Sequence, residues 1–468
     1  MNTQVITRFP PSPTGFLHLG SARTAIFNYL YAKKNSGKII LRFEDTDLAR
    51  SKKEFEQDIF VGLEWLGLKF DEVHHQSERT LIYRKYIEKM IESGHAYISE
   101  ESTNSIPEAA LFGEDEESIV NELGSRVIRF KNPNKTITFK DEVRGEINVD
   151  TTELGDFVIA RNIEEPLYHL AVVIDDFEMG VTHIIRGEDG IYNTPRQILI
   201  QEAIGATRPM YCHIPFVLGG DKTKLSKRHG AVSISEYKKI GILPEALINY
   251  LALLGWNPGN DQEIFSLNEL IEKFSFDQIQ KSGAVFDMEK LKWFNREYIK
   301  KMSDQDLKKI IEERIGNSFK DKPQWSLDRL SKLIPEIRER ISTFSDIEEM
   351  VNSGDLDYFF DKPKIDTAVI LPKSKNNPTA NEHETIQRLT LVIENLQNLS
   401  DYPTAEEVKN TIWQLAENEG RANVLWPTRY ALSGKEKSPD PFKLVSILGK
   451  TESINRLSES INLLSNHK

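Results

Sequence analysis

Pro10-Pro11-Ser12-Pro13-Thr14-Gly15-Phe16-Leu17-His18-Leu19-Gly20-Ser21 separates two patterned segments. Before it, Gln4 to Phe9 is strand-like. After it, Ala22, Ala25, Ile26, Tyr29 and Leu30 recur at helical spacing. The three prolines fix φ and stiffen the entry, and Gly15 and Gly20 permit close backbone approach. His18 falls at the mouth of the following helix, where unpaired N–H groups and the helix dipole favour an anion. Such a loop at the carboxyl edge of a parallel sheet can hold a nucleoside triphosphate. A Pro-rich turn with a packed histidine explains the same residues without a ligand, and the loop alone does not separate the two.

Working outward, Gly37 closes the first helix, Lys38 to Phe43 reads as a second strand, and Lys52 to Leu66 as a second helix ended by Gly67. This alternation predicts an α/β fold, a Rossmann-like doubly wound parallel sheet. From 80 to 167 the pattern breaks. Acid-rich sequence (Glu100 to Glu122) and short alternating runs (Val127 to Phe130, Thr136 to Phe139) indicate an α+β insertion. Leu170 to Ile174 and His183 to Arg186 then read as strands that resume the sheet, followed by a helix from Pro195 to Ile204. Beyond, Pro244 to Leu254 and Asp287 to Tyr298 are helical. From 304 onward amphipathic helices are punctuated by segments such as Asp361-Lys362-Pro363 and Lys375-Asn376-Asn377-Pro378. The expected divisions are 1–79 and 168–222 for the two halves of the Rossmann domain, 80–167 for the insertion, 223–303 for a connecting domain, and 304–362 and 363–468 for all-helical C-terminal domains.

At 468 residues the chain exceeds a single core. No run approaches the ~20 apolar residues of a membrane span, and Met1-Asn2-Thr3-Gln4 carries no basic or apolar leader, so a cytoplasmic protein is expected. Cys212 is the single cysteine, which excludes an internal disulfide and a four-cysteine zinc site. The net charge of −12 argues against a chain that merely coats nucleic acid, but local patches set such contacts. One patch stands out: Asp221-Lys222-Thr223-Lys224-Leu225-Ser226-Lys227-Arg228, with a local balance of +3. The plain reading is a solvated loop, which most short charge runs are. Lys224 and Lys227 lie between Gly219-Gly220 and Gly230, so two ammonium groups could close over a triphosphate and neutralise charge developing on pyrophosphate. With no Ser-His pair, no acid/base dyad and no Walker loop, the chemistry indicated is nucleotidyl transfer by positioning and charge neutralisation.

The two loops, His18-Leu19-Gly20-Ser21 and Lys224-Leu225-Ser226-Lys227-Arg228, resemble in order and separation the HIGH and KMSKS signatures of class I aminoacyl-tRNA synthetases. Arg8 to Gly15, Arg42-Phe43-Glu44-Asp45-Thr46-Asp47, Tyr168-His169-Leu170, Arg186-Gly187-Glu188-Asp189, Asn193 to Gln197, Ala284 to Asp287 and Lys290 to Trp293 narrow the likeness to bacterial-type glutamyl-tRNA synthetases, essentially end to end. The resemblance implies that Pro11, Thr14, Gly15, His18, Gly20, Ser21 and Lys227 bind ATP, with Lys227 the main pyrophosphate ligand and Lys224 its assistant. It implies that Arg8 and Arg186 hold glutamate carboxylates, a role their guanidinium forks suit. Glu44 would take the α-ammonium, with Ser12 and Tyr168 completing the pocket. Ordinary ion pairs are the plain alternative for each charged residue.

The resemblance further implies L-glutamate, ATP with Mg2+, and tRNA-Glu as partners, no membrane partner, a monomeric enzyme, and activation assisted by tRNA. The insertion would grip the acceptor end, residues 223–303 the inner stem, and the helical remainder the anticodon. Two residues depart from the pattern. Pro10 replaces a common Ala, and Gly190 stands where relatives often carry His or Trp, which predicts a more open wall of the amino-acid pocket. Some relatives hold zinc in the insertion; residues 98–127 contain no Cys or His, so no zinc is expected. Glutaminyl-tRNA synthetases share the signatures but have β-barrel anticodon regions, and strand-like alternation is scarce after 304. A truncated glutamyl transferase acting on a wobble base would be shorter, and a pantothenate-synthetase-like ligase would not need the helical half. Charging of tRNA-Gln as well as tRNA-Glu stays open, as does a catalytically inactive tRNA-binding paralogue, against which His18, Lys224 and Lys227 speak.

Overall fold

The structure is a computed structural model that describes residues 4–47, 49–100, 126–225, 233–372 and 381–466. Contacts divide the chain into two compact units, residues 1–295 and 296–468.

The first unit opens with β1 (Ile6–Phe9), α1 (Leu19–Lys34), β2 (Lys38–Phe43), α2 (Lys53–Trp65) and β3 (Glu72–His75). The three strands are parallel, with Arg8 opposite Ile40 and Arg42 opposite His74. There follow α3 (Thr80–Glu92), β4 (Ala96–Glu100), β5 (Arg126–Phe130), β6 (Thr136–Asp141), β7 (Gly145–Asp150), β8 (Phe157–Asn162), β9 (Glu165–Pro166), α4 (Tyr168–Glu178), β10 (His183–Gly187), α5 (Thr194–Ile204) and β11 (Met210–Ile214). β10 and β11 are parallel partners. β1 borders β10: Ile6 N donates to Thr182 Oγ1 at 2.8 Å and Thr182 N donates to Ile6 O at 2.9 Å. The parallel strands therefore run β3-β2-β1-β10-β11. The winding direction reverses between β1 and β10, the switch point at which open α/β sheets place ligands beyond the strands' carboxyl ends.

Alternating side chains confirm cover on both faces. Ile185 and Cys212 join the core beneath α1, whereas their neighbours Ile184 and Tyr211 join a second core with α3, α4 and α5. The intervening segment forms an antiparallel sheet, β4-β5-β8-β9, and a hairpin, β6–β7, whose Asp141 pairs with Tyr211 so that the hairpin borders the parallel sheet. The segment Glu100 to Glu122 lies almost wholly outside the described residues.

One expectation is corrected. Leu170 to Ile174 is not a strand but part of α4, in which every residue from Leu170 to Asp176 is buried. A helix buried on all sides has no polar face to impose the 3.6 period, so its apolar run reads like a central strand.

After β11, Val217–Leu218 pairs in parallel with Ala284–Val285, and helices Pro244–Leu253, Leu267–Lys273 and Met288–Lys301 follow. Arg23 of α1 ties this region down, donating to Leu254 O at 2.8 Å and to Pro215 O. Among the described residues the second unit is helical, from Asp304–Ile315 to Lys450–Ser465. Its buried Arg456 donates to Tyr358 O and Leu432 O, both at 2.7 Å. No described helix is long and apolar enough to cross a membrane.

Candidate active site

The Pro10–Ser21 loop is pinned at several points beyond β1. Glu44 N donates to Pro11 O and Lys52 N to Pro13 O, each at 3.0 Å, and Leu17 N donates to Asp58 Oδ2 at 2.8 Å. His18 is the N-cap of α1; its Nδ1 accepts from Ser21 N at 3.2 Å. A Cβ at Gly20 would meet the His18 ring at 3.3 Å, so Gly20 keeps space for that ring as well as for a ligand. At Gly15 a Cβ would meet nothing within 4 Å, and Ser12 and Thr14 are exposed, which leaves that stretch an open ledge.

At the carboxyl ends of β1 and β2 the charges are buried and cross-linked. Arg8 Nε donates to Asp176 Oδ1 at 3.1 Å, and Arg42 Nη1 donates to the same oxygen at 2.7 Å. Arg42 Nη2 donates to Glu44 Oε1 at 3.2 Å. Burial alone would raise the Asp176 carboxyl, but Arg8 and Arg42 outweigh it and hold the group below the ordinary carboxylate range. Glu44 goes the other way: burial pushes it up to about 7 against the pull of Arg42 and Arg8. Behind this cluster Asp175 accepts from Gln76 Nε2 (2.8 Å), Arg79 Nε (2.6 Å) and the Tyr83 hydroxyl (2.8 Å). Arg8 Nη1, fully buried, has no acceptor among the described residues. A buried guanidinium edge left unpaired is costly unless a ligand completes it.

Arg186 reaches the same region from β10. Its Nε donates to His213 Nε2 at 3.0 Å; its Nη2 donates to Gly190 O at 3.0 Å and to Thr194 Oγ1 at 2.9 Å. Burial is the main influence lowering its pKa; Arg8 adds to this and Tyr168, on the first turn of α4, opposes it. The two arginines, Glu44 and Tyr168 therefore share one field. A Cβ at Gly190 would lie 2.3 Å from Arg186 Nε. The expected open wall is thus corrected: the space a larger residue would fill is taken by the Arg186 side chain.

The second loop is described only at its ends. Lys224 Nζ contacts Asp189 Oδ2 at 3.0 Å, with both side chains 60 % exposed. Ser233 forms a bridge with His18, and Ile234 N donates to Leu17 O at 2.8 Å, so the far end of this loop is tethered beside the first. Lys227 lies outside the described residues. Within Arg186-Gly187-Glu188-Asp189, Glu188 braces the chain that leads out of β11. Its Oε1 accepts from Phe216 N at 2.8 Å, and its Oε2 pairs with Arg144.

Sequence reasoning missed Asp176, Asp141 and His213, and gave Thr194, within the Asn193 to Gln197 motif, no role. The one local signal was an acid pair, Asp175-Asp176, ending an apolar run, where buried carboxylates need cationic partners.

The site thus joins an exposed helix mouth to buried arginine side chains at a topological switch point. The catalytic-domain model of class I tRNA synthetases (E and Q) matches residues 4–110 and 108–293, and an anticodon binding domain model matches 288–461. The chain is 38 % identical over 494 residues to the glutamate–tRNA ligase of Carboxydothermus hydrogenoformans, covering 98 % of this chain and 100 % of the relative. The Aquifex aeolicus glutamate–tRNA ligase is 39 % identical over 488 residues, with 99 % and 100 % covered. A crystal structure of a glutamate tRNA ligase from Elizabethkingia meningosepticum in complex with its amino acid superposes with a TM-score of 0.83 at 32 % identity, covering 99 % of this chain and 100 % of that one. The protein is a class I aminoacyl-tRNA synthetase of the glutamate and glutamine branch. Within that branch it belongs to the glutamate–tRNA ligase family.

Proposed function

We propose that this chain activates L-glutamate with ATP and passes the glutamyl group to the terminal adenosine of tRNA-Glu. The observation that carries the reading is that Arg8, Arg186 and Glu44 are buried in one electrostatic neighbourhood at the switch point, with Arg8 Nη1 buried and without a protein acceptor among the described residues. Two guanidinium forks suit the two carboxylates of glutamate, and Glu44, when ionised, suits its ammonium. Ser12 and Tyr168 complete the pocket. In the first step a carboxylate oxygen attacks the α-phosphorus of ATP and pyrophosphate leaves. A ribose hydroxyl of the tRNA end then attacks the activated carbonyl, and AMP leaves.

The chain supplies positions and charge. Pro11, Thr14, Gly15, His18, Gly20 and Ser21 line the helix mouth for ATP. Lys227, assisted by Lys224, neutralises the departing pyrophosphate. Magnesium would enter with ATP, bound mainly by the phosphates. Zinc has no part in this reading. Residues 80–167 take the acceptor end, 223–303 the inner stem, and 304–362 with 363–468 the anticodon of a monomeric, cytoplasmic enzyme. Steady-state glutamylation of purified tRNA-Glu and tRNA-Gln transcripts tests the reading. Charging of tRNA-Glu alone is expected; charging of both defines a non-discriminating enzyme, and charging of neither overturns the proposal.

A further inference from the structure

His213 of β11 and Asp141 at the end of β6 are both fully buried and belong to neither signature loop. Asp141 Oδ2 accepts from His213 Nδ1 at 2.7 Å and from His213 N at 3.0 Å. Asp141 Oδ1 is committed to the N–H groups of Val143 (3.0 Å) and Arg144 (2.8 Å). The carboxylate can only accept, so the His213 proton sits on Nδ1 and Nε2 is an acceptor. That acceptor faces Arg186 Nε at 3.0 Å. Both N–H groups of Arg186 Nη2 are taken by Gly190 O and Thr194 Oγ1. Of the five guanidinium donors, the two on Nη1 alone lack a described acceptor.

We propose that Asp141 and His213 are positioning residues for the amino acid: Asp141 fixes the His213 tautomer, His213 holds Arg186 Nε, and Nη1 is thereby turned to a substrate carboxylate. Gly190 is the clearance that lets Arg186 lie in this cradle. The inference rests on the reading of Arg186 as a glutamate ligand. It reaches that ligand from β6, on the inserted hairpin.

Asp141→Asn discriminates sharply. Oδ1 accepts from two backbone donors and Oδ2 from one, so the new amide nitrogen falls at Oδ2, where it gives up the His213 N–H bond and donates to His213 Nδ1. The ring proton moves to Nε2, and N–H faces N–H at Arg186. Full-length enzyme assayed by tRNA-Glu charging should show KM for glutamate raised about 10- to 100-fold, the range for a lost hydrogen bond to a charged group, with KM for ATP unchanged. His213→Gln, which offers a carbonyl near Nε2, should restore glutamate KM to within about threefold of wild type, whereas His213→Leu should not. Arg186→Gln separates the two readings. If it raises glutamate KM and Asp141→Asn does not, the relay is wrong while the pocket stands. If Arg186→Gln leaves glutamate KM unchanged, the pocket reading and the relay fall together. The double variant Asp141→Asn/Arg186→Gln should be no worse than Arg186→Gln; additive losses would overturn the relay.

Discussion

The two ends of the site are built on opposite terms. At the proposed glutamate end Arg8, Arg42, Asp176 and Glu44 are buried; Asp176 holds Arg8 and Arg42 across distant parts of the chain, and Arg42 holds its near neighbour Glu44. At the proposed phosphate end Lys224 and Asp189 meet at the surface and His18 is exposed. Burial makes the first group strongly coupled and rigid, because a charge in low dielectric must be paired or it destabilises the fold. Exposure makes the second group weakly coupled and free to change partner when a triphosphate arrives. A small, fixed amino acid suits the preorganised end, and a large anion that must enter and leave suits the open end.

The contrast breaks most visibly at Asp176. Asp176→Ala leaves Arg8 and Arg42 without their shared acceptor, which should cost about 3–5 kcal/mol of stability. Urea denaturation followed by circular dichroism measures it; a loss below about 1 kcal/mol would mean that the buried cluster is not coupled as the distances suggest.

Lys227→Ala tests the proposed pyrophosphate ligand and should leave stability alone. Loss of one preorganised charge donor should slow activation by roughly 10²–10³-fold. ATP–pyrophosphate exchange with tRNA present reads this directly, and near-normal exchange would remove Lys227 from the assigned role.

This difference also governs what could be read from the sequence. Arg8, Glu44, His18, Arg186 and Lys224 were legible because they sit in short motifs at strand ends and helix mouths, where local sequence dictates local geometry. Their supports were not. Asp176 meets Arg8 across 168 residues, and His213 meets Asp141 across 72. Periodicity carries no information about such pairings. α4 failed for a related reason, since burial on every side erased the amphipathic signal. Gly190 was legible as a departure but not in its effect. A missing side chain suggests empty space until the guanidinium that fills it is seen. The doubly wound core was the most legible part, because alternating strands and helices admit few arrangements.

Glu44 sharpens the comparison through pH. Burial pushes its carboxyl up to about 7, so in the free enzyme it is largely protonated below that pH. An acid with a raised pKa binds the substrate ammonium only after losing its proton. kcat/KM for glutamate should therefore climb as pH rises through about 7, with a slope approaching tenfold per unit on the acid side. Glu44→Gln should lower the whole profile and flatten that limb. A wild-type profile without the inflection would show that Glu44 is ionised throughout, with Arg42 outweighing burial.

The smallest effect belongs to the exposed pair. Lys224 and Asp189 are each 60 % exposed at 3.0 Å, where solvent screening leaves a contact worth about 0–1 kcal/mol. Asp189→Asn should shift the unfolding free energy by no more than that, in contrast to Asp176→Ala. The same change frees the Lys224 ammonium from its carboxylate, so KM for ATP should stay equal or fall slightly. A destabilisation comparable with Asp176→Ala would mean that the phosphate end is as tightly built as the glutamate end. The division between a preformed amino-acid pocket and a loosely held anion site would then fail.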